Sequence, residues 1–291
     1  MDEYALDTRA VRRAFDRASR RYAEHAIVQA EIRSRLLERL DLVKLQPTRV
    51  LDLGAASGGS ARRLKDRYPK ARVLALDFSQ RMLVQAAREQ TWLRRFDRVA
   101  ANAERLPIRD ESIDLVFSNL MLAWCNDVDS VFRETARTLT KDGLFTFTTL
   151  GPDTLREVRD AFAPIDRHVH VHRFIDMHDL GDALMRTGFA EPVMDTERLV
   201  VTYPTAAALF DELRNTGGIN ASVGRRKGLL GRAGFRDVEL RLEALQQAGS
   251  IPMTVEVVYG HAWKGTLPAK RSPDGDVLIS LDSLRRSIRK H

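Results

Sequence analysis

The feature that most constrains the fold of this chain is a strand pattern that stops at glycine and continues directly as a helix. Arg49–Gly54 is a short run rich in leucine and valine, and helical character follows over Ser57–Tyr68. The same change recurs from a strand at Arg72–Asp77 to a helix at Ser79–Arg88, with Ser79 as the predicted N-cap. Strands that alternate with helices in this way predict a parallel sheet.

The alternation continues to residue 150. A third strand is predicted to end near Asn102. Later strands at Ile113–Asn119 and Leu144–Leu150 enclose a helix at Asp127–Leu139, with Asp127 as its predicted N-cap. We therefore predict an α/β fold built on a doubly wound, mostly parallel sheet. In such folds ligands bind at the carboxyl edge of the sheet.

After the fifth strand the pattern changes to helices followed by two widely separated strands. Thr154–Glu157 has capping-box spacing and predicts the start of a helix. Asp176–Thr187 predicts another helix, with Asp176 as its N-cap. Strands are predicted at Glu197–Tyr203 and Met253–Trp263, and the stretch between them is mostly helical. If these two strands pair as neighbours, that stretch must lie outside the sheet.

Residues 8–40 predict an N-terminal helix, because apolar residues from Val11 to Tyr22 recur at three- and four-residue spacing and Gln29 continues the stripe. This arm and the helical insertion would together form a cap over the carboxyl edge of the sheet. The predicted organisation is an N-terminal helical arm (1–46), a cofactor-binding core (47–203), a helical cap insertion (204–250), a final core strand (251–265) and a basic tail (266–291).

The composition indicates a globular protein of a reducing compartment. Of the 291 residues, 44% are hydrophobic and 30% are charged, and the single cysteine, Cys125, excludes an intramolecular disulfide. No apolar run approaches the length that spans a bilayer, and the N-terminal residues lack the apolar core of a secretory signal. We therefore expect a cytoplasmic protein that does not bind membranes.

Positive charge is concentrated in the N-terminal arm, in residues 225–241 and in the tail. The net charge of +7 favours an acidic partner. Nucleic acid is not expected to be that partner, because neither a basic strand interleaved with aromatic residues nor a recognition-helix pattern accompanies the charge.

Three histidines, His168, His170 and His172, alternate with valines and would share one face if this segment were a strand. That arrangement could bind zinc, but neither a nearby cysteine nor a clear second pair of ligands completes a site. We therefore expect no metal site, and a connecting segment that lines the cap.

The turn after the first strand has the chemistry of a cofactor site. Gly54 and Gly58 let the backbone approach a ligand closely, at the beginning of a helix that offers unpaired N–H groups. Asp77 ends the second strand, where a carboxylate can accept hydrogen bonds from both hydroxyls of a ribose. Asp52 precedes the glycines, where it can pair with the amino group of a methionine. A nicotinamide dinucleotide stays an alternative, since the glycine pattern nearly fits that class.

These segments resemble the motifs of class I S-adenosylmethionine-dependent methyltransferases. Val50–Gly58 is similar to their first motif, Leu76–Ser79 with Met82 to their acidic loop, and Asn102–Pro107 to the segment that holds adenine. The resemblance implies a seven-stranded sheet, S-adenosylmethionine as cofactor and S-adenosylhomocysteine as product. The cofactor contacts expected from it are Asp52, Gly54, Ala56, Gly58, Asp77, Phe78, Met82, Asn102, Ala103, Asn119 and Leu120.

Two residues depart from the superfamily pattern. Ala56 stands where glycine is usual, and its methyl group narrows the cofactor channel. Asn102 stands where an aspartate usually accepts a hydrogen bond from the adenine amino group, and an amide oxygen can accept the same bond without charge.

The rest of the chain is similar to the BioC family, the malonyl-acyl-carrier-protein O-methyltransferases of biotin synthesis. This resemblance covers roughly residues 10–264 and includes both parts of the cap. It implies a malonyl substrate attached to an acidic acyl carrier protein. The segments that carry it are Ser118–Cys125, Gly151–Arg156, Asp176–Gly181, Thr216–Asn220 with Arg225–Leu229, and Tyr259–Trp263.

The implied reaction needs no general base, because a malonyl carboxylate is already ionised near neutral pH. Catalysis then consists mainly of holding the carboxylate oxygen, the methyl carbon and the sulfur in line while water is excluded. Tyr22, on the inward stripe of the arm, and Arg156, after the fifth strand, are the predicted catalytic residues. The predicted substrate contacts are Gln29 and Trp124 in the cleft and Arg225, Arg226 and Lys227 for docking the carrier.

Two other functions stay open at this point. The run Gly151–Arg156 is shared with assembly factors of mitochondrial respiratory complex I, some of which hydroxylate arginine. A methyltransferase of small molecules such as quinone precursors is the other. The cap segment and Tyr259–Trp263 favour the carrier-linked substrate, and the sequence leaves open the choice between carrier protein and coenzyme A and the oligomeric state.

Overall fold

The computed structural model describes residues 2–91 and 94–265 of the chain. The strands are β1 Arg49–Leu53, β2 Arg72–Asp77, β3 Asp97–Ala100, β4 Ile113–Asn119, β5 Leu139–Leu150, β6 Phe189–Tyr203 and β7 Ile251–Lys264. They form one sheet in the order β3-β2-β1-β4-β5-β7-β6. Strands β1 to β5 are parallel, and β7 runs antiparallel to both β5 and β6. The predicted doubly wound, mostly parallel sheet of seven strands is confirmed.

The helices are α1 Thr8–Ala18, α2 Tyr22–His25, α3 Ile27–Arg39, α4 Gly59–Arg67, α5 Gln80–Arg88, α6 Val128–Thr138, α7 Arg156–Phe162, α8 Met177–Arg186, α9 Ala206–Asn215 and α10 Gly231–Glu243. The N-caps predicted at Ser79, Asp127 and Asp176 are confirmed, because each side chain accepts a backbone N–H from the first turn of its helix. Over the described ranges, no helix is long and apolar enough to cross a membrane.

The sheet is buried on both faces, which gives the three layers of a doubly wound fold. Side chains alternate along β1, so that Val50 packs in one apolar cluster and Leu51 in the other. Helices α3, α4 and α5 contribute to the first cluster through residues such as Leu36 and Leu64. Helices α6 and α8 contribute to the second through residues such as Phe132 and Leu184. This packing holds the carboxyl ends of the parallel strands at one edge.

The prediction of one continuous helix over residues 8–40 is wrong, because the arm bends twice. The hydroxyl of Ser19 donates to the carbonyl of Asp16 at the end of α1, and Ala26 leaves the helical region at a ψ of 50°. The bends let α1 contact α5 and α9, while α3 packs against β4 and β5. The arm therefore spans the carboxyl edge of the sheet instead of extending away from it.

The chain leaves the sheet at Tyr203 and returns at Ile251, and these two residues are partners in the ladder of β6 and β7. Helices α9 and α10 lie between them and pack with α7 in a third apolar cluster that includes Phe162, Leu209 and Val238. Residues 204–250 thus stand beside the sheet without adding a strand to it. The predicted basic tail from residue 266 lies outside the described residues.

The capping box predicted at Thr154–Glu157 is also wrong. The hydroxyl of Thr154 donates to the carbonyl of Glu256, and the carboxylate of Glu157 accepts the backbone N–H of Thr254. Strand β7 therefore uses both side chains that the box needs. The helix start predicted in this segment is nevertheless confirmed, because α7 begins at Arg156, after Leu155 with its left-handed φ of 54°.

Candidate active site

A cavity of about 780 Å³ lies at the carboxyl ends of β1, β2 and β4. Its other walls come from α1, α2 and α3 of the arm and from α9 and α10. The predicted site residues that line it are Tyr22, Gln29, Gly54, Ala56, Asp77, Phe78, Asn102, Ala103, Asn119, Leu120 and Trp124. The predicted residues that are not among its lining are Asp52, Gly58, Met82, Arg156, Arg225, Arg226 and Lys227.

The turn between β1 and α4 requires residues that tolerate positive φ. Gly54 and Gly58 have φ of 84° and 80°, and Ala56 has φ of 45° although it carries a side chain. A Cβ on Gly54 would lie 2.4 Å from the Cβ of Met121, so this position has no space for a side chain. Gly58 precedes α4 and faces Ala86 instead of the cavity. Close packing and the positive φ explain why this residue is a glycine.

The carboxylate of Asp77 connects the ends of the first two strands. One oxygen accepts the N–H of Ala56 and the other accepts the N–H of Ser79, both at 2.8 Å. Burial raises the pKa of Asp77 to about 6, although both hydrogen bonds oppose this shift. Each carboxylate oxygen can accept a second hydrogen bond. Asp77 can therefore hold this turn and also accept hydrogen bonds from two hydroxyl groups of a ligand in the cavity.

Asp52 lies at the base of the same turn with its side chain fully buried. Neither carboxylate oxygen has a hydrogen-bond partner within the described ranges. Burial raises the pKa of Asp52 to about 8, while the positive charge of Arg33 and the nearby backbone N–H of Ala61 oppose the shift. A buried carboxylate without a partner beside a ligand cavity is suited to binding a cationic ligand group.

Arg33, on α3, was not identified from the sequence. Its Nε is buried and has no hydrogen-bond partner among the described residues. Its guanidinium lies against the beginning of α4, where a Cβ on Gly59 would be 2.5 Å from Nη1. Burial lowers the pKa of Arg33, while Asp52 and Tyr22 act in the opposite direction. The sequence feature that could have identified Arg33 is its position four residues after Gln29, on the same face of the helix.

Gln29 and Tyr22 bring two more polar groups to this end of the cavity. The buried Oε1 of Gln29 has no partner in the described part of the chain, while its backbone carbonyl accepts from Nδ2 of Asn119. Burial, with a smaller contribution from Asp77, raises the pKa of the Tyr22 hydroxyl. Tyr22 is therefore a hydrogen-bond donor at neutral pH.

The next wall is formed by the residues that follow β3 and β4. The Oδ1 of Asn102 accepts the N–H of Glu104, and Ala103 is buried beside it. Leu120 has a left-handed φ of 60° and donates its N–H to the carbonyl of Thr148. Met82 is buried within α5, where its N–H donates to the Ser79 hydroxyl. It therefore supports the acidic loop from behind.

The far end of the cavity is aromatic. Trp124 lies between Phe15 and His172, with edge-to-face ring centroids at 5.1 and 4.8 Å. Burial lowers the pKa of His172 to about 4, and its Nε2 accepts the N–H of Ala221. His172 is therefore a neutral packing residue. The wall continues with Leu155, Val158, Phe162, Phe174, Tyr203 and Phe210.

The strand considered for His168, His170 and His172 does not form, because residues 167–176 have no regular secondary structure. His170 instead pairs with Asp166 at 2.7 Å, and Asp166 also binds Arg226. No group of three or more potential metal ligands is found over the described ranges.

Arg156 does not reach the cavity, which contradicts the sequence prediction of its catalytic role. Because α7 begins at Arg156, the preceding Leu155 lines the cavity and the arginine faces outward. Its side chain is 48% exposed and lies near Asp153 and Glu157, at 3.9 and 3.4 Å. Its charge is therefore engaged at the protein surface.

The predicted docking residues Arg225 and Arg226 are bound within the protein. Arg225 pairs with Asp7 at 3.1 Å and Arg226 pairs with Asp166 at 3.0 Å. These contacts attach the segment after α9 to the N-terminus and to the loop after α7. Lys227 is exposed.

Known proteins are similar to this chain over most of its length. The family model described as "Methyltransferase domain" matches residues 51–147. The malonyl-(acyl-carrier protein) O-methyltransferase of Gallionella capsiferriformans is 44% identical over 286 residues, which cover 96% of this chain and 98% of that protein. The protein of the same name from Laribacter hongkongensis is 46% identical and covers 96% of this chain and 97% of its own length.

Solved structures show the same fold at low sequence identity. The YcgJ protein of Bacillus subtilis matches with a TM-score of 0.58 and 18% identity over 79% of this chain and 97% of its own. A putative methyltransferase from Bacillus halodurans matches with a TM-score of 0.56 and 16% identity over 80% of this chain and all of its own. The sheet and its flanking helices are therefore a recurrent arrangement.

Proposed function

This chain belongs to the malonyl-(acyl-carrier protein) O-methyltransferase family, and on that premise we propose that it methylates the free carboxylate of a malonyl group carried by an acyl carrier protein, in the pathway to biotin. The methyl donor is S-adenosylmethionine. One observation carries the proposal: a single cavity joins a polar end, lined by the β1–α4 turn, Asp77 and Gln29 with its unpartnered Oε1, to an aromatic end beneath the cap helices. Such a cavity can enclose a zwitterionic cofactor and an acyl thioester together.

The polar end fits S-adenosylmethionine by its set of donors and acceptors. Asp77 provides free acceptor capacity for the ribose hydroxyls. Asp52 is the anion for the methionine amino group, and Arg33 is the cation for its carboxylate. Asn102 and Ala103 line the cavity on the side proposed for the adenine. Gln29 supplies one further buried acceptor.

The bound cofactor would supply an electrophilic methyl group and a neutral leaving group. The chain itself has no proton to remove, because the malonyl carboxylate is already ionised near neutral pH. Its contribution is to position the carboxylate and to exclude water. A buried ion pair with the nucleophile would stabilise the ionic ground state more than the transition state, in which charge is dispersed.

Tyr22 provides the weaker interaction that this argument requires. Its hydroxyl remains protonated, because burial and Asp77 raise its pKa, and it can donate one hydrogen bond to the carboxylate. Trp124 and the aromatic residues around it exclude water from the acyl part of the substrate. Catalysis thus rests on orientation by the cap and the sheet.

The proposal is tested with S-adenosylmethionine labelled in its methyl group. Incubation with malonyl-acyl carrier protein should transfer label to a methyl ester that mild base releases. Acetyl-acyl carrier protein, which has no free carboxylate, is the matched control and should receive none. Malonyl-coenzyme A in a parallel reaction measures how far the carrier protein itself is required. Absence of label from malonyl carrier would leave the assembly-factor and small-molecule functions to be tested.

A further inference from the structure

A second groove, of about 780 Å³, runs along the outer face of α10. We call it the α10 groove, and its lining residues are Leu229, Leu230, Gly231, Arg232, Phe235, Arg236, Glu239, Leu240 and Glu243. None of these is a residue that the sequence analysis assigned to a site.

The α10 groove exposes apolar side chains to an unusual degree. Leu229 is 93% exposed, Leu240 is 54% exposed and Phe235 is 37% exposed. On the opposite face of the same helix, Val238 and Leu242 are fully buried. Grouped exposed apolar side chains, rimmed by charged residues, are typical of interaction surfaces.

Phe235 connects this groove to the active-site cavity, because it lines both. Its ring packs against Phe210 with the centroids 5.2 Å apart, and Phe210 also lines the cavity. A partner seated in the α10 groove would therefore be next to one wall of the cavity. This location suits a protein that must insert a flexible arm into the site.

The charge near the beginning of α10 has one sign. Residues 225–236 contain five basic side chains and no acidic one. Arg225 and Arg226 pair with Asp7 and Asp166, whereas Lys227, Arg232 and Arg236 form no ion pair with any described residue. Two of these, Arg232 and Arg236, are four residues apart and face the groove together.

The far end of the groove carries Glu239 and Glu243. The surface is thus positive at the beginning of α10 and negative at its end. This polarity defines an orientation for a charged partner, since its acidic residues would lie over Arg232 and Arg236.

We propose that the α10 groove binds an acidic helix of the acyl carrier protein. Lys227, Arg232 and Arg236 contact its carboxylates, and Leu229 packs against an apolar residue among them. This inference rests on the proposed function and identifies where its partner docks. It also moves the docking site from Arg225 and Arg226, which are already paired, to the exposed beginning of α10.

The experiment compares two substrates with the double variant Arg232→Glu/Arg236→Glu. The Michaelis constant for malonyl-acyl carrier protein should rise about tenfold, and its dependence on salt should weaken, because two favourable charge contacts become repulsive. The rate with malonyl-pantetheine, which lacks the carrier protein, and the affinity for S-adenosylmethionine should not change. Leu229→Ser should weaken carrier binding without changing charge.

A charge-matched control is Arg88→Glu/Arg98→Glu. Arg88 ends α5 and Arg98 lies on β3, both are exposed, and neither forms an ion pair with a described residue. This variant changes net charge by the same amount at the other edge of the sheet, so its kinetics should equal those of the wild type.

Direct binding keeps the docking result separate from the chemistry. The carrier protein with its phosphopantetheine arm is titrated by fluorescence anisotropy, whether or not methyl transfer occurs. Unchanged affinity in Arg232→Glu/Arg236→Glu, or equal losses in the charge-matched control, would overturn the proposal. So would binding of the groove to vesicles of anionic phospholipid with no binding to the carrier. If every variant were active and bound the carrier normally, the docking site would be wrong while the proposed function would stand.

Discussion

The carboxylate of Asp77 accepts the backbone N–H of Ala56 in a hydrogen bond of 2.8 Å. The acid at the end of β2 thus fixes the turn that follows β1, at the one residue of that turn that has positive φ without being glycine. The bond joins the ends of β1 and β2 through groups of the protein itself.

Replacing Asp77 with alanine should lower the affinity for S-adenosylmethionine by about 100-fold, because a hydrogen bond to a charged group contributes about 1.5–3 kcal/mol. It should also reduce stability, since the N–H groups of Ala56 and Ser79 lose their acceptor. Asp77→Asn keeps an acceptor oxygen and should lose less of both. Calorimetric titration and thermal unfolding measure the two effects. Unchanged affinity in Asp77→Ala would remove this residue from the cofactor site.

Arg33 gives a prediction that depends on the ligand. Arg33→Gln should weaken binding of S-adenosylhomocysteine by about tenfold to 100-fold, because the methionine carboxylate loses its cation. The same variant should bind a decarboxylated analogue of that ligand as well as the wild type does. Arg35→Gln is the matched control, because Arg35 lies on the same helix but pairs with Glu31 and Glu197 and does not line the cavity. Equal losses for both ligands would contradict the pairing.

Substitution of Tyr22 should reduce the catalytic rate, whereas substitution of Arg156 should not. Tyr22→Phe should reduce kcat by about tenfold with little change in cofactor affinity, because a hydrogen bond that orients the carboxylate is lost. Arg156→Ala should stay within about twofold of the wild type, because its side chain lies outside the cavity and surface pairs contribute little. Steady-state kinetics on folded variants, checked by thermal unfolding, distinguish them. A wild-type rate in Tyr22→Phe would remove that residue from catalysis.

The sequence predicted the elements that local patterns define. Caps at Ser79, Asp127 and Asp176 satisfy N–H groups of their own helices, so the signal and its structural cause lie within a few residues. The capping box at Thr154 failed because its side chain binds Glu256, which is distant in sequence. Competition from a tertiary partner is invisible in a local pattern.

Two larger differences between the sequence prediction and the structure also come from tertiary contacts. Strand β6 extends from Phe189 to Tyr203, whereas only its second part was predicted, because β7 pairs with it along this length even where the residues do not favour a strand. Arg33 was missed because its importance depends on Asp52 and Gly59, which come near it only when α3 packs on the sheet. Its spacing of four residues from Gln29 indicates the inward face of the helix but does not identify these partners.

The pKa of Asp52 predicts proton release on cofactor binding. Burial raises this pKa to about 8, so at pH 7 the carboxyl is largely protonated in the ligand-free protein. A cationic amino group beside it favours the ionised form and lowers the pKa, so binding should release close to one proton at pH 7. At about pH 9 the carboxyl is already ionised, and the release should largely disappear.

Calorimetric titration of S-adenosylmethionine in buffers of different ionisation enthalpy measures the number of protons released on binding. Asp52→Asn removes the titrating group, so its binding should be weaker and should release no proton from this site. Asp114→Asn is the control, because hydrogen bonds from Thr48 and Arg49 hold the pKa of that carboxyl below its usual range and it is ionised throughout. Equal proton release by the wild type and Asp52→Asn would show that Asp52 does not change its protonation state when the cofactor binds, which would contradict this prediction.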